Sequence, residues 1–331
     1  MQELLKQIGQ LFVVGYPGEE PPATFLDFVA EDGIGGVILF EENCRTDLAA
    51  RENIRRIRAR CQTPPLIAID QEGGRVSRLK GAPAEYRAAA VYGARKDVEH
   101  FREDYTRAAV LLESIGVNVN LAPVVDLWLD EKNDCLAQRC FSSDPEVVAM
   151  FAKASVAVAH THGLLSCLKH FPGLGAAQID PHRKTAVADY DTLVWHQRER
   201  IPFAAGIEAG ADMIMTTHLS LPRIDPVPAT GSRKVVAKML REQMEFDGVV
   251  ITDDLTMKGA DSLGDIGERT VAAFKAGHDL LLFGREFERA IQAYDRFVRA
   301  VTDGEIDKAA VRASLDRIAG LKFRLGRSVV R

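Results

Sequence analysis

Short apolar runs that alternate with longer amphipathic segments recur along the whole sequence, and this alternation restricts the fold more than any other feature. The apolar runs lie at residues 11–14, 36–40, 66–69, 117–122, 164–168, 213–216, 248–251 and 279–283. Helical patterns between them include residues 47–60, 97–114, 144–162, 195–209, 232–244 and 268–276. Strands that alternate with helices form parallel sheets, and eight such units close into a barrel. The sequence therefore predicts an α/β fold, a single (β/α)8 TIM-type barrel.

An open, doubly wound sheet is the main alternative, because its strands are equally apolar. Its dinucleotide-binding form carries G-x-G-x-x-G in the first strand-to-helix turn, whereas residues 15–18 read GYPG. Polar residues also fall at or just after the C-terminal ends of several predicted strands, where barrel enzymes form their sites. These residues are Asp70, Asp126, Lys169, His170, His218 and Asp253. Their placement favours the closed barrel.

The domain organisation follows from length and from the absence of a linker-like segment. A chain of 331 residues is long for one domain, but α/β barrels reach this size as single units. We therefore expect residues 1–331 to form one barrel domain. Residues 306–325 have helical spacing and predict a C-terminal helix packed on the outside of the barrel.

Charge and composition limit the partners of the chain. A net charge of −5 offers no basic field for nucleic acid, and no apolar run approaches the about 20 residues that cross a bilayer. The first residues lack the features of a secretory signal, so we expect a cytoplasmic location. Five cysteines without C-x-x-C spacing predict neither a disulfide framework nor a zinc ribbon. A small molecule is the expected partner.

The segment from Lys169 to His182 carries the densest chemistry. Within fourteen residues it contains a lysine, two histidines and an aspartate, Lys169, His170, Asp180 and His182. Structural loops rarely need so many titratable groups, which favours an active-site loop after the fifth strand. On its own, D-x-H also fits a surface turn.

Two segments resemble the signatures of the glycoside hydrolase family 3 β-N-acetylhexosaminidases. Residues 169–175 read KHFPGLG before the Asp180-Pro181-His182 triplet, and residues 248–256 read GVVITDDLT. The resemblance implies that Asp253 is the nucleophile, His182 the general acid/base, and Asp180 its supporting carboxylate. From strand alternation alone, Asp253 and Asp254 point to opposite sides, and which of them faces the barrel mouth stays open.

The same resemblance implies a set of sugar-binding residues. Residues 70–78 read DQEGGRVSR and residues 139–145 read RCFSSDP, as in this family. Carboxylates that accept from sugar hydroxyls and cations that donate to them suit this task. The implied binding residues are Asp70, Arg78, Arg139, Lys169 and His170. Asp126 and His218 either line the site or brace its loops.

Three positions depart from the family pattern. The family usually reads KHFPGHGD, whereas this chain has Leu174 and Ala176 in place of the second histidine and the acidic residue. Pro181 stands where a small hydroxyl residue is usual; it fixes its own φ and biases Asp180 toward an extended conformation. We expect such changes to alter substrate choice or rate but not the class of reaction.

These observations predict a retaining β-N-acetylglucosaminidase that releases terminal β-linked GlcNAc through a covalent intermediate on Asp253, with no metal and no organic cofactor. The resemblance further implies a GlcNAc-containing muropeptide or oligosaccharide as substrate. A family 3 β-glucosidase, a β-GlcNAc phosphorylase and a catalytically weak sugar-binding barrel are the alternatives. A metal-dependent hydrolase that uses His160 and His162 is disfavoured, because these residues precede a strand and therefore fall on the wrong rim.

Overall fold

The computed structural model describes residues 2–81, 83–177 and 186–328. Parallel strands follow one another around a single sheet in chain order. They are β1 (Phe12–Val14), β2 (Gly36–Leu39), β3 (Leu66–Ile69), β4 (Val119–Asn120), β5 (Leu165–Phe171), β6 (Met213–Thr216), β7 (Val249–Ile251) and β8 (Leu281–Phe283). β8 pairs with β1, and a bridge between Ile251 and Leu280 joins β7 to the start of β8. The sheet thus nearly closes on itself, and the predicted barrel is confirmed.

Helices connect successive strands and cover the outside of the sheet. The crossover helices are Ala23–Glu31, Asp47–Arg58, Val98–Ile115, Pro145–Thr161, Arg200–Glu208, Lys234–Gln243, Ile266–Ala276 and Phe287–Thr302, of which Lys234–Gln243 is π-helical. Shorter helices are Gln2–Leu5, Ala89–Arg95 and Thr192–Gln197, with 3₁₀ turns at Ile8–Leu11, Glu41–Cys44, Ala229–Gly231 and Lys258–Leu263. Side-chain caps at Asp97 and Asp144 begin two long helices where the sequence predicts helix starts. None of the helices in the described ranges is long and apolar enough to cross a bilayer.

The strands are buried along their whole length, which explains their nearly continuous apolar sequence. Every residue of β1, β2 and β3 is buried, because helices cover the outer face and side chains fill the barrel interior. Two small strand pairs extend the C-terminal rim. Gln71–Gly73 pairs with Val76–Ser77 in antiparallel fashion, and Ala186–Val187 pairs with Leu219–Ser220 in parallel. These two pairs extend the barrel at the C-terminal ends of its strands.

The C-terminal helix, Lys308–Ser328, packs against the N-terminal end of the barrel. Asp279, which is fully buried just before β8, accepts hydrogen bonds from Ser314 Oγ at 2.8 Å and Arg317 Nε at 2.9 Å on this helix. It also accepts from the backbone N of Val250 at 2.9 Å. One carboxylate therefore ties the predicted helix to β7 and β8, at the end of the barrel opposite the expected site.

Candidate active site

The carboxyl ends of the strands meet around one cavity of about 450 Å³. It lies within the size range of small-molecule pockets, at the end of the barrel where such enzymes bind substrates. The predicted residues that line it are Asp70, Arg78, Arg139, Lys169, His170 and Asp253. The structure therefore brings together six of the eight predicted site residues, from four different loops and strands. Asp180 and His182, with Pro181 between them, lie outside the described residues.

A continuous ion-pair network forms the floor of this cavity. Lys169 Nζ lies 2.7 Å from Asp70 Oδ1 and 2.7 Å from Glu72 Oε1. Arg78 Nη2 donates to Asp70 at 3.0 Å, and Arg139 binds Glu72 through Nε at 2.7 Å and Nη2 at 2.8 Å. The side chains of Lys169 and Glu72 are only 3% and 4% exposed. The network is thus a buried, alternating chain of charges that holds its polar groups in fixed positions.

The electrostatics of the floor keep its groups charged. Burial disfavours ionisation of both carboxyls, but Lys169 and Arg78 hold the pKa of Asp70 below its usual range, and Arg139 and Lys169 lower the pKa of Glu72 to about 2. Burial likewise disfavours the ammonium of Lys169, but Asp70 and Glu72 outweigh it and raise its pKa. Each charged partner therefore stabilises the charged form of the next.

We expect the pairing of Glu72 to make stability depend on pH. Its pKa of about 2 in the folded chain lies below the ordinary 4.5, so its contribution is present above about pH 4.5 and is lost as the pH falls toward 2. The contribution is on the order of 3 kcal/mol. In urea unfolding from pH 7 to pH 3, Glu72→Gln should be less stable at pH 7 and show a shallower pH dependence below 4.5. Equal pH slopes in both proteins would contradict this prediction. Glu208→Gln, which removes the exposed partner of Lys153, is the matched control.

Asp253 and Asp254 follow β7 and take different environments. Asp254 Oδ1 accepts from Thr256 N at 2.9 Å, Thr256 Oγ1 at 2.8 Å and Gly284 N at 3.0 Å. Burial raises the pKa of Asp254, although these hydrogen bonds oppose the shift. Asp253 accepts from Asp254 N at 2.8 Å and borders the same cavity as the floor network. Both aspartates border the cavity, and the carboxylate of Asp254 also joins the loops after β7 and β8.

Asp126 and His218 brace the loops of the site: each is buried and bound to neighbouring protein groups. Asp126 is buried and lies 2.6 Å from His170 Nδ1, and it also accepts from Leu174 N at 2.7 Å. His218 is fully buried between Thr230 Oγ1 at 2.7 Å and the carbonyl of Asp254 at 2.9 Å. Asp126 therefore orients His170 and the start of the loop after β5, while His218 supports the loop that carries Asp253.

Of the positions where this chain departs from the family pattern, Leu174 and Ala176 lie within the described residues, and Leu174 is part of the cavity wall. Leu174 is buried and borders the cavity, so it presents an apolar surface where the family pattern has a histidine. The adjacent Gly175 packs so closely that a Cβ would lie 1.7 Å from the carbonyl oxygen of Leu127. Ala176 packs against the hydrophobic core. The loop after β5 is thus fitted to the loop after β4 as far as residue 177.

Several residues that line the cavity were not among the predicted site residues, and they include the polar or aromatic side chains of Glu72, Phe40 and Arg285. Glu72 lies inside the DQEGGRVSR segment, of which only Asp70 and Arg78 were predicted as binding residues. Phe40 and Arg285 follow β2 and β8. The rule that barrel sites form at strand ends could have found both, since it applies to every strand and not only to those followed by acids or histidines.

The histidine pair of the metal-hydrolase alternative lies away from this cavity. His160 Nε2 is 2.8 Å from Asp212, which directly precedes β6 and therefore belongs to the N-terminal end of the barrel. Across residues 2–81, 83–177 and 186–328, no group of three or more His, Cys, Asp or Glu side chains is placed to hold a metal ion.

An eight-stranded parallel barrel with a carboxylate just after a strand, above a floor of paired acids and bases, has the architecture of a TIM-barrel enzyme and a site that suits a glycoside hydrolase. Residues 3–321 match the Glycosyl hydrolase family 3 N terminal domain, and the chain belongs to this family. A Beta-hexosaminidase of Xanthomonas euvesicatoria is 36% identical over 278 residues, which cover 82% of this chain and 83% of that protein. A Beta-hexosaminidase of Stenotrophomonas maltophilia is 33% identical over 93% of this chain and 91% of its own length.

Solved structures agree in fold over almost the whole chain. A family 3 β-N-acetylglucosaminidase from a Paenibacillus species superimposes with a TM-score of 0.94 at 31% identity, over 98% of this chain. This chain spans only 62% of that longer protein. A β-N-acetylhexosaminidase from Beutenbergia cavernae superimposes with a TM-score of 0.88 at 31% identity, over 96% of this chain and 98% of that one.

Proposed function

We propose that this chain, as a single catalytic domain, is a retaining β-N-acetylglucosaminidase that hydrolyses terminal β-linked GlcNAc. One observation carries the proposal: Asp253 borders the same cavity as the floor network of Asp70, Glu72, Arg139 and Lys169. A nucleophile beside a rigid set of hydroxyl-binding groups is what a glycosidase needs. The hexosaminidase names of the relatives support the N-acetyl sugar.

The proposed reaction has two displacement steps. The Asp253 carboxylate attacks the anomeric carbon and forms a glycosyl ester, while the bond to the leaving oxygen breaks and that oxygen takes a proton from His182. Water then attacks the anomeric carbon, gives its proton to His182 and releases Asp253 and a β-configured GlcNAc. The family resemblance supplies the roles of His182 and Asp180, since both lie outside the described residues.

The floor network is the proposed binding site for the sugar hydroxyls. The ionised carboxylate of Asp70 accepts from hydroxyl groups, and Arg78, Arg139 and Lys169 donate to them. These groups are already paired and buried, so they lose little conformational freedom when the sugar binds. His170, fixed by Asp126, completes the set.

For the natural substrate we propose a muropeptide, with GlcNAc released from a 1,6-anhydro-MurNAc peptide during cell-wall recycling. The family resemblance is the support for this choice. The cytoplasmic location stays a prediction of the sequence. Leu174 belongs to the wall of the cavity and Ala176 packs against the core, and neither is part of the floor network, which is consistent with a changed preference within an unchanged reaction.

Paired chromogenic substrates test the proposal. We expect the chain to cleave para-nitrophenyl β-GlcNAc in preference to the β-glucoside, and NMR of early product to show the β anomer. A preference for the glucoside would indicate a β-glucosidase. Turnover that requires inorganic phosphate and yields a sugar phosphate would indicate a phosphorylase. Absence of turnover with retained sugar binding would indicate a binding barrel.

A further inference from the structure

Two arginines stand at the mouth of the cavity, above the floor network. Arg285 follows β8, its guanidinium carbon lies 4.2 Å from the centroid of the Phe40 ring, and its Nε donates to Glu42 at 3.0 Å. Its side chain is 49% exposed. Arg75 is exposed and donates through Nη2 to the carbonyl oxygens of Asp134 at 2.6 Å and Cys135 at 2.7 Å. Both side chains border the cavity.

The mouth differs from the floor in how its charges are paired. On the floor, each of Arg78, Arg139 and Lys169 contacts at least one carboxylate. In the described part of the chain, Arg75 has no carboxylate partner, and the terminal nitrogens of Arg285 make no hydrogen bond. The guanidinium of Arg285 is held by its stacking on Phe40 and by its Nε contact, which leaves its outer edge open to a ligand.

The position of these arginines relative to the substrate rests on the proposed function. If the sugar hydroxyls occupy the floor and the anomeric carbon meets Asp253, the leaving group extends toward solvent, because the floor side chains of Lys169, Glu72 and Arg139 are at most 11% exposed. Groups at the mouth then contact the leaving group and not the sugar that is released. Arg285 and Arg75 would therefore affect which leaving groups are accepted.

We propose that Arg285, assisted by Arg75, forms a leaving-group subsite that selects aglycones carrying a carboxylate. A guanidinium donates two parallel hydrogen bonds to a carboxylate, and its face is already held against an aromatic ring. The competing explanation is a purely structural role, in which Arg285 only links the loop after β8 to Glu42 after β2. The two explanations predict different substrate selectivity: only the subsite makes the preference for a carboxylate depend on Arg285.

The test compares two aryl β-GlcNAc glycosides whose leaving groups have equal acidity, one bearing a carboxylate and the other the corresponding carboxamide. We expect the wild type to favour the carboxylate in kcat/KM, and Arg285→Ala to reduce the carboxylate-to-carboxamide ratio about tenfold. Arg285→Lys keeps the positive charge but cannot donate two parallel hydrogen bonds, so its carboxylate-to-carboxamide ratio should lie between those of the wild type and Arg285→Ala. Added salt should reduce the ratio in the wild type more than in Arg285→Ala.

Arg55→Ala is the matched control, since Arg55 is an exposed arginine paired with one glutamate on the helix Asp47–Arg58. It should retain the wild-type ratio. A wild type without preference, or an Arg285→Ala variant that is less stable but keeps the ratio, would overturn the proposal in favour of the structural role.

Dissociation constants separate this proposal from the proposed function. Sulfur-linked versions of both glycosides resist hydrolysis, so their binding can be measured by calorimetry in every variant. If neither oxygen-linked glycoside is turned over, the proposed function fails, and the calorimetric ratio alone decides the subsite. Equal affinities of the wild type for the two sulfur-linked compounds would reject the carboxylate subsite whatever the turnover.

Discussion

Replacing Asp253 by Ala is expected to lower kcat/KM on a chromogenic β-GlcNAc glycoside by about 10⁴-fold or more, because the variant can no longer form the glycosyl ester. Asp253 lies two residues after the buried strand β7 and borders the cavity, so its loss removes the nucleophile without removing a core side chain. Steady-state kinetics, together with an unfolding curve to confirm that the variant folds, measure this effect.

Added azide gives a second, more specific readout of the same variant. A small anion can enter the space left by the carboxylate and attack the anomeric carbon, with the leaving oxygen again departing as its bond breaks. The product is then a glycosyl azide of inverted, α configuration. Recovery of rate with azide in Asp253→Ala, and formation of this product, identify a missing nucleophile and not a distorted site.

Asp254→Asn is the matched control for Asp253. Its carboxylate holds the loops after β7 and β8 through Thr256 and Gly284, and an Asn oxygen can keep these hydrogen bonds. We expect a far smaller loss, of about tenfold, that azide does not reverse. If Asp253→Asn retained turnover within tenfold of the wild type, or if Asp254→Asn were the more damaged variant, the assignment of the nucleophile would be wrong. Retained sugar affinity in Asp253→Asn would show that binding and chemistry are separate.

The barrel could be predicted from the sequence because each strand of a parallel sheet is buried on both faces. Strands that are buried on both faces need apolar side chains along their whole length, which gives short apolar runs in the sequence. All eight predicted runs overlap the observed strands. The bounds differ most at β4 and β5. Residues 164–168 were predicted for β5, but this strand runs to Phe171, so Lys169 and His170 belong to the strand and not to the loop after it. For β4, residues 117–122 were predicted and only Val119–Asn120 forms the strand. There the regular strand stops after Asn120, although Cys167 N still donates to the carbonyl of Ala122 at 2.9 Å and a bridge joins Val124 to Lys169. Apolar composition records burial, not pairing, so it does not mark this break.

The cavity could be predicted in part, through the polar residues at strand ends. Asp70, Lys169 and Asp253 were all expected at the C-terminal rim, and they line one cavity. Their partners were harder to predict, since an ion pair depends on which side chains the closed barrel brings together. Glu72 and Lys169 are 97 residues apart in sequence, and their contact exists only because β3 and β5 approach the same cavity.

The mouth of the cavity was the least predictable part. The contact between Arg285 and Glu42 joins residues 243 positions apart, and it arises because β8 lies next to β1 and β1 next to β2. A single arginine after an apolar run has no signal in sequence that separates it from an ordinary surface charge. Closure of the barrel is what places it over Phe40.

Replacing Lys169 by Met is expected to reduce stability by about 3 kcal/mol and to raise KM, because it leaves two buried carboxylates with less compensation. Lys169 lies 2.7 Å from both Asp70 and Glu72, and its side chain is 3% exposed. Breaking a buried ion pair typically costs about 3–5 kcal/mol. Arg78 and Arg139 still pair with the two carboxylates in this variant, so we expect a loss at the lower end of that range. Urea unfolding and steady-state kinetics on the same preparation measure both effects.

Lys153→Met is the matched control, since Lys153 forms an ion pair of 2.5 Å with Glu208 in which both side chains are at least half exposed. Solvent screens such a pair, so the control should lose less than about 1 kcal/mol and keep its KM. Asp70→Asn combined with Lys169→Met should be less destabilised than the sum of the single variants, because each change removes a charge that the other leaves unpaired. If Lys169→Met were as stable as the Lys153→Met control, the floor network would not hold the site together. If the losses in the double variant were additive, Lys169 and Asp70 would act independently.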